Sequence, residues 1–210
     1  MVNICCVSDL HGMLPDIPDC DLLFIAGDIV PLWAQNNRDI SYAWLDSSFR
    51  EWLLKLFNRG IITVGIAGNH DFVFEDGYFP RNLFWKYLQD EQVEFKGLKI
   101  WGTPWQPTFY NWAFNAEEEV LEQKWDMIPK DTDVIIVHGP PYLHGDRVKD
   151  THVGSPSLLR KIKEIKPKLV VCGHIHESYG CYHVDNSVVV NCCLVNDSYK
   201  LTRKPILWEI

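Results

Sequence analysis

The chain has 210 residues, 47% of them hydrophobic and 13% aromatic with nine Trp, enough to bury the core of one ordinary domain spanning 1–210. Its formal charge is −8 and its 20 Lys and Arg form no continuous track, which argues against a partner such as long nucleic acid. No apolar run reaches the roughly 20 residues that span a bilayer, so no membrane partner is expected.

Taken in chain order, short β-branched runs predict strands over 3–8 (NICCVS), 22–27 (LLFIAG) and 61–68 (IITVGIAG). Between the last two lies a helix over 42–59, where Trp44, Leu45, Phe49, Trp52, Leu53, Leu56 and Phe57 recur at helical spacing and Gly60 supplies the stop. A second helix is expected over 81–89 (RNLFWKYLQ), then a strand over 97–102 (GLKIWG) and a long irregular aromatic stretch, GTPWQPTFYNWAFN, over 102–115. Helices over 115–128 and 155–166 flank a strand at 133–139 (DVIIVHG); the first is acidic at its start, and in the second Ser155 caps while Pro156 suits the first helical position. Strands over 168–174 (KLVVCGH), 187–193 (SVVVNCC) and 204–210 (KPILWEI) complete the pattern, with a hairpin turning at Asp185 and Asn186. Strand–helix–strand order points to an α/β fold with parallel or mixed sheets.

Polar residues sit just past the ends of five of these strands: Asp9 and His11, Asp28, Asn69 with His70 and Asp71, His138, and His174 with His176. In such sheets the carboxyl ends converge on one edge, where ligands bind. The D-x-H and H-x-H spacings put alternate side chains on one side of an extended segment, so each pair can grip one centre. Two Asp, one Asn and four His (Asp9, His11, Asp28, Asn69, His138, His174, His176) are too many for one tetrahedral zinc. Mixed nitrogen and oxygen donors without Cys suit two divalent ions, Mn with Fe or Zn as alternatives. Two such ions clamp a phosphoryl group and acidify a bridging water, chemistry suited to phosphate ester hydrolysis. The seven Cys form no CxxC pair and the start, MVNICCVSDLHG, has no basic stretch before a long apolar one, so a cytoplasmic chain with reduced thiols is expected.

These motifs, D-x-H at Asp9 and His11, GD at Gly27 and Asp28, GNHD at Gly68 to Asp71, His138, and GHIH at Gly173 to His176, resemble those of the calcineurin-like metallophosphoesterase superfamily. GTPWQPTFYNWAFN, HGPPYLHGD and HVGSPSLLRKIKEIKPKLVVCGHIHESYG further resemble its metallophosphoesterase-domain-containing subfamily. The resemblance implies a four-layer αββα sandwich of two mixed β-sheets flanked by helices. It implies one metal held by Asp9, His11, Asp28 and His176 and another by Asp28, Asn69, His138 and His174. It also implies that His70, no ligand, stabilises the phosphate and protonates the leaving oxygen, with Asp71 orienting it. Some members of the subfamily lack the first histidine of the last motif; His174 is present here. After VVV this chain reads NCCLVN, where relatives often carry small residues.

For the substrate, Trp105, Gln106, Phe109, Tyr110, Asn111 and Trp112 form either a pocket wall that stacks a base or aryl group, or a hydrophobic cover. Tyr142, His144, Asp146 and Arg147 line the mouth or belong to a solvated loop, and His152 and His183 are not read as ligands. The expected activity is a phosphodiesterase on small substrates such as cyclic nucleotides, the 2′,3′-cyclic forms being implied by the subfamily. Alternatives are a phosphomonoesterase acting on nucleotides or phosphoproteins, and a protein-binding scaffold without catalysis. Intact Asp28, Asn69, His70 and His174 speak against the scaffold.

Overall fold

A computed structural model describes all residues, Met1–Ile210. The chain opens with β1 (Asn3–Val7) and β2 (Leu22–Ala26), runs through α1 (Arg38–Trp44) and α2 (Arg50–Asn58), and returns as β3 (Ile62–Ile66). A short α3 (Phe72–Glu75) precedes β4 (Lys86–Tyr87), β5 (Glu91–Phe95), β6 (Leu98–Thr103), and the two-residue β7 (Gln106–Pro107) and β8 (Asn115–Ala116). Then come α4 (Glu118–Asp126), β9 (Val134–Val137), the small β10 (Arg147–Val148) and β11 (Thr151–His152), and α5 (Pro156–Ile165). β12 (Leu169–Cys172), β13 (Gly180–Val184), β14 (Ser187–Asn191) and β15 (Ile206–Glu209) end it.

The strands form two main sheets, ordered β15-β1-β2-β3-β4 and β13-β14-β12-β9-β6-β5. The interior of each is parallel, and β15, β13 and β5 close edges antiparallel. Side chains alternate along each strand, and both faces of the central strands are buried. Ile4, Cys6, Leu22 and Phe24 face Ile100, Ile136, Leu169 and Val171 across the inter-sheet core. Cys5, Val7, Leu23 and Ile25 point the other way, onto Leu45, Phe49, Leu53 and Leu56 of the first helical layer. Ile135, Val137, Val170 and Val189 of the second sheet meet Leu121 and Trp125 of α4 and Leu158 and Ile162 of α5. The result is the four-layer αββα sandwich with two mixed sheets. No helix is long and apolar enough to cross a membrane.

The first helix begins earlier than expected, with Asn37 capping Ile40 N, and carries a π-helical turn at Leu45–Phe49 between α1 and α2. The expected helix over 81–89 is absent. Leu83, Trp85 and Tyr87 alternate, pack against the first core, and lead into β4 beside β3; following Pro80, period two prevails over helix propensity. β5 is an unforeseen edge strand, paired antiparallel with β6 through a tight turn at Lys96 and Gly97, both with positive φ. The hairpin at Asp185 and Asn186 forms as expected, pairing Val184 with Ser187. Ser155 caps α5 by accepting from Leu158 N, and its hydroxyl also accepts from Trp125 Nε1 at 3.2 Å, tying α4 to α5.

Trp125 is 1% exposed. Trp125→Ala is expected to lower unfolding stability by about 3–5 kcal/mol in chemical denaturation, through the cavity and the lost hydrogen bond. Val120→Ala, on the exposed side of α4, should stay within about 0.5 kcal/mol of the wild type.

Candidate metal centre

The five strand ends meet at the seam between the sheets: β1, β2 and β3 from one, β9 and β12 from the other. The segments beyond them are not extended. Asp9 (φ 55°), His11 (43°), Asp28 (56°) and His174 (67°) all adopt the left-handed region, which costs roughly 1 kcal/mol or more per non-glycine residue. The D-x-H and H-x-H pairs therefore owe their geometry to sharp bends, not to a strand's alternation. Loop-to-loop bonds hold the bends: Asp9 N donates to Gly27 O (3.0 Å), His11 N to Asp28 O (2.8 Å) and Gly12 N to Ile29 O (2.9 Å). Glycine is required where the two halves touch, since a Cβ on Gly173 would lie 1.9 Å from Ser8 Oγ and 2.3 Å from Asp9 Oδ2.

All seven expected donors come together there. Asn69 Oδ1 lies 2.8 Å from His138 Nε2 and 2.7 Å from His174 Nδ1. Asp9 Oδ1 lies 3.2 Å from His176 Nε2, so the two histidines of GHIH face different partners. Around Asp28, His138 Nε2 stands 3.5 Å from Oδ1 and His11 Nε2 3.7 Å from Oδ2. The Asp28 separations are long for hydrogen bonds, yet donors sharing one ion at about 2.0–2.2 Å lie roughly 3–4 Å apart. Both ring nitrogens of His11 are buried with no hydrogen-bond partner, an expensive state unless an ion takes a lone pair. These residues fit a divalent metal centre.

The electrostatics agree. Burial pushes His11 down to about 4 and His174 to about 3, so both present neutral imidazole, the form that binds metal. Burial acts the same way on His138, but the Asp28 carboxylate outweighs it and raises the ring to about 9. Burial alone would raise Asp28; the charges of His138 and His70 hold it well below the usual carboxylate range. Cys193, within the NCCLVN stretch, donates its Sγ–H to Asp9 Oδ2 at 2.8 Å.

His70 sits at the edge of the cluster, its backbone N–H on Asp28 Oδ1 (2.8 Å) and its Nε2 3.9 Å from Asp28 Oδ2. Asp71 does not orient it. The Asp71 carboxylate instead accepts the N–H groups of Gly68 (2.8 Å), Ile29 (3.0 Å) and Val30 (2.9 Å), clamping the β3 loop to the β2 loop. Burial and the charge of Asp28 push Asp71 up to about 7, against those N–H bonds. The His70 ring is met instead by Gln35, whose Oε1 contacts Nδ1.

A cleft of about 600 Å³ opens over the cluster, lined by Asp28, Asn69, His70, His174 and His176 and walled by Phe109, Tyr110, Trp112 and Tyr199. Of the expected wall residues, Phe109, Tyr110 and Trp112 line the cleft, the Trp112 ring 4.2 Å from that of His70, and Asn111 does not. Trp105 and Gln106 lie outside the cleft. Trp105 bonds Asp90 and packs on Phe114, while Gln106 is fully buried and staples the loop through Ala113 O (2.7 Å) and Asn115 Oδ1 (3.0 Å). Tyr142, His144 and Arg147 also stay off the cleft wall: His144 turns back on Tyr142 O, and the exposed Arg147 bonds Lys149 O and Asp150. Asp146 organises their loop by accepting from Leu143 N and Gly154 N and binding His152. Gln35, Asp197 and Tyr199 carry no sequence signal because turns without a periodic pattern bring them to the site, whereas Cys193 reads only as a strand residue and bridges Ser8.

Comparison with known proteins agrees with this geometry. A family model, calcineurin-like phosphoesterase, matches residues 2–178. The chain is 33% identical, over 98% of its own length and 70% of the relative's, to metallophosphoesterase domain-containing protein 1 of Homo sapiens. It is 32% identical to a UPF0046 protein of Caenorhabditis elegans over its whole length, which spans 60% of that relative. A crystal structure of TT1561 of Thermus thermophilus superposes with a TM-score of 0.57 at 16% identity, covering 90% of this chain and 88% of that one, a likeness of fold. By fold, by the seven donors at one seam and by this match, the chain belongs to the calcineurin-like phosphoesterase family of metal-dependent phosphoester hydrolases.

Proposed function

We propose that the chain hydrolyses small phosphodiesters, of the size of a cyclic nucleotide, at this centre. The observation that carries the reading is the charge of the cleft. No Lys or Arg lines it, whereas Glu177 and Asp197 do. A monoester dianion brings one more negative charge than a diester monoanion, and nothing on the wall beyond the centre would offset it. The aromatic wall of Phe109, Tyr110, Trp112 and Tyr199 suits a flat base or aryl group. The 2′,3′-cyclic nucleotides implied by the subfamily resemblance fit these features.

In this reading Asp9, His11, Asp28 and His176 would hold one divalent ion and Asp28, Asn69, His138 and His174 the other, with Mn favoured by the mixed donors and Fe or Zn as alternatives. When bound, the ions supply Lewis-acid charge to the phosphoryl oxygens and a nucleophilic water at neutral pH. His138 Nδ1–H donates to Ala26 O (2.7 Å), which fixes its tautomer and leaves Nε2 as the donor atom. His70 carries its transferable proton on Nε2, the nitrogen nearer Asp28, and delivers it to the leaving oxygen. Trp112 and Tyr199 flank that nitrogen's ring and limit the water that reaches it.

With Mn, bis-p-nitrophenyl phosphate should be cleaved faster than p-nitrophenyl phosphate, and EDTA should abolish both; a monoester preference would overturn the diester reading. His70→Ala should lower kcat about 10²–10⁴-fold while bound Mn, measured by elemental analysis, stays unchanged. Loss of metal in that variant would make His70 a ligand rather than an acid.

A further inference from the structure

We infer that Gln35 is the positioning residue for His70: its side-chain amide oxygen fixes which ring nitrogen carries the permanent proton, leaving Nε2 to face the cleft. The inference rests on the activity proposed above and adds to it a residue outside the metal motifs.

The contact pairs Gln35 Oε1 with His70 Nδ1. An amide oxygen can only accept, so Nδ1 must be the donor. Once Nδ1–H is committed, Nε2 alone is free to hold or release a proton toward the site, and it lies on the Asp28 side at 3.9 Å. Gln35 does not reach His70 by chance of a loose side chain. Its own N–H bonds Pro31 O at 3.1 Å, and Ala34 beside it is fully buried with its carbonyl accepting from Asn37 N (2.8 Å) and Ser41 Oγ (2.9 Å). The turn is therefore anchored at both ends, between the Asp28 loop and the cap of α1. Trp112 packs against the imidazole as well, ring centroids 4.2 Å apart. A ring gripped at one edge and packed in this way has one orientation.

The choice of an amide is chemically specific. Asp9, Asp28 and Asp71 already place three buried carboxylates around this seam. A carboxylate at position 35 would orient His70 equally well but would add a fourth charge; a carboxamide supplies the acceptor without it. Asp71, the neighbour in sequence, cannot take the role, because its oxygens are committed to backbone N–H groups.

The test compares full-length wild type, Gln35→Leu, Gln35→Glu, His70→Ala and the Gln35→Leu/His70→Ala double variant, loaded with Mn, on bis-p-nitrophenyl phosphate. Gln35→Leu should lower kcat about 10–100-fold with KM within about twofold and unchanged bound Mn. Gln35→Glu should restore most of the loss. In the His70→Ala background Gln35→Leu should have no further effect, since a positioning residue has nothing left to position. Independently of turnover, long-range proton–nitrogen correlation of the metal-free chain at pH about 8.5, where free imidazole is neutral, should show His70 protonated on Nδ1 in wild type and shifted toward Nε2–H in Gln35→Leu. Equal tautomer populations in the two, or the same kcat loss with and without His70, overturns the inference. A wild type that binds Mn and cleaves no diester overturns the proposed activity, and the tautomer measurement then still decides the role of Gln35.

Discussion

A carboxylate, Asp28, is buried at the seam of two sheets with 1% of its surface exposed, and the architecture around it answers the problem of that charge. An ionised group out of water is destabilised by several kcal/mol unless opposite charge and hydrogen bonds meet it. Here His138, His70 and His11 surround it and the His70 N–H bonds it directly. No single element could supply that shell. Parallel strands release their loops at one end, and stacking two such sheets brings five loop sets together, so the sandwich is what allows the shell to close. The left-handed residues at four donor positions belong to the same requirement, since loops that short reach the seam only by bending hard.

The three apolar layers and the site divide the chain cleanly, and this explains what could be read in advance. Runs such as LLFIA and VIIV are buried on both faces, and a continuous aliphatic run between polar ends is legible without knowing its neighbours. The donors were legible for a related reason: a His or Asp just beyond such a run has one place to go. Residues whose role depends on a turn or a partner were not. Gln35 and Tyr199 sit in stretches with no period, and Asp71 lies in a motif that said nothing about which backbone groups would claim it. Leu83, Trp85 and Tyr87 misled through their mixed spacing, which only the open edge of β3 resolved into a strand.

The aromatic stretch after β6 shows the same division at finer scale. Its residues divide between the cleft and the interior. Trp105, Gln106 and Phe114 turn inward as a cover, the Gln106 amide tying the ends of the loop, while Phe109, Tyr110 and Trp112 turn to the cleft. The inward half, packed on the first core through Phe114 and Trp105, underlies the outward half that walls the cleft.

The donors that meet at the seam are far apart along the chain: His176 is 167 residues from Asp9, and His174 105 from Asn69. No fragment can therefore assemble the centre locally, and loop closure must be complete before an ion gains its full set of partners. As the chain leaves the ribosome, Asp9, Asp28 and Asn69 emerge long before the imidazoles of β9 and β12 that face them. A complete donor set therefore exists only in the finished fold, and an ion that binds it would stabilise that fold by mass action.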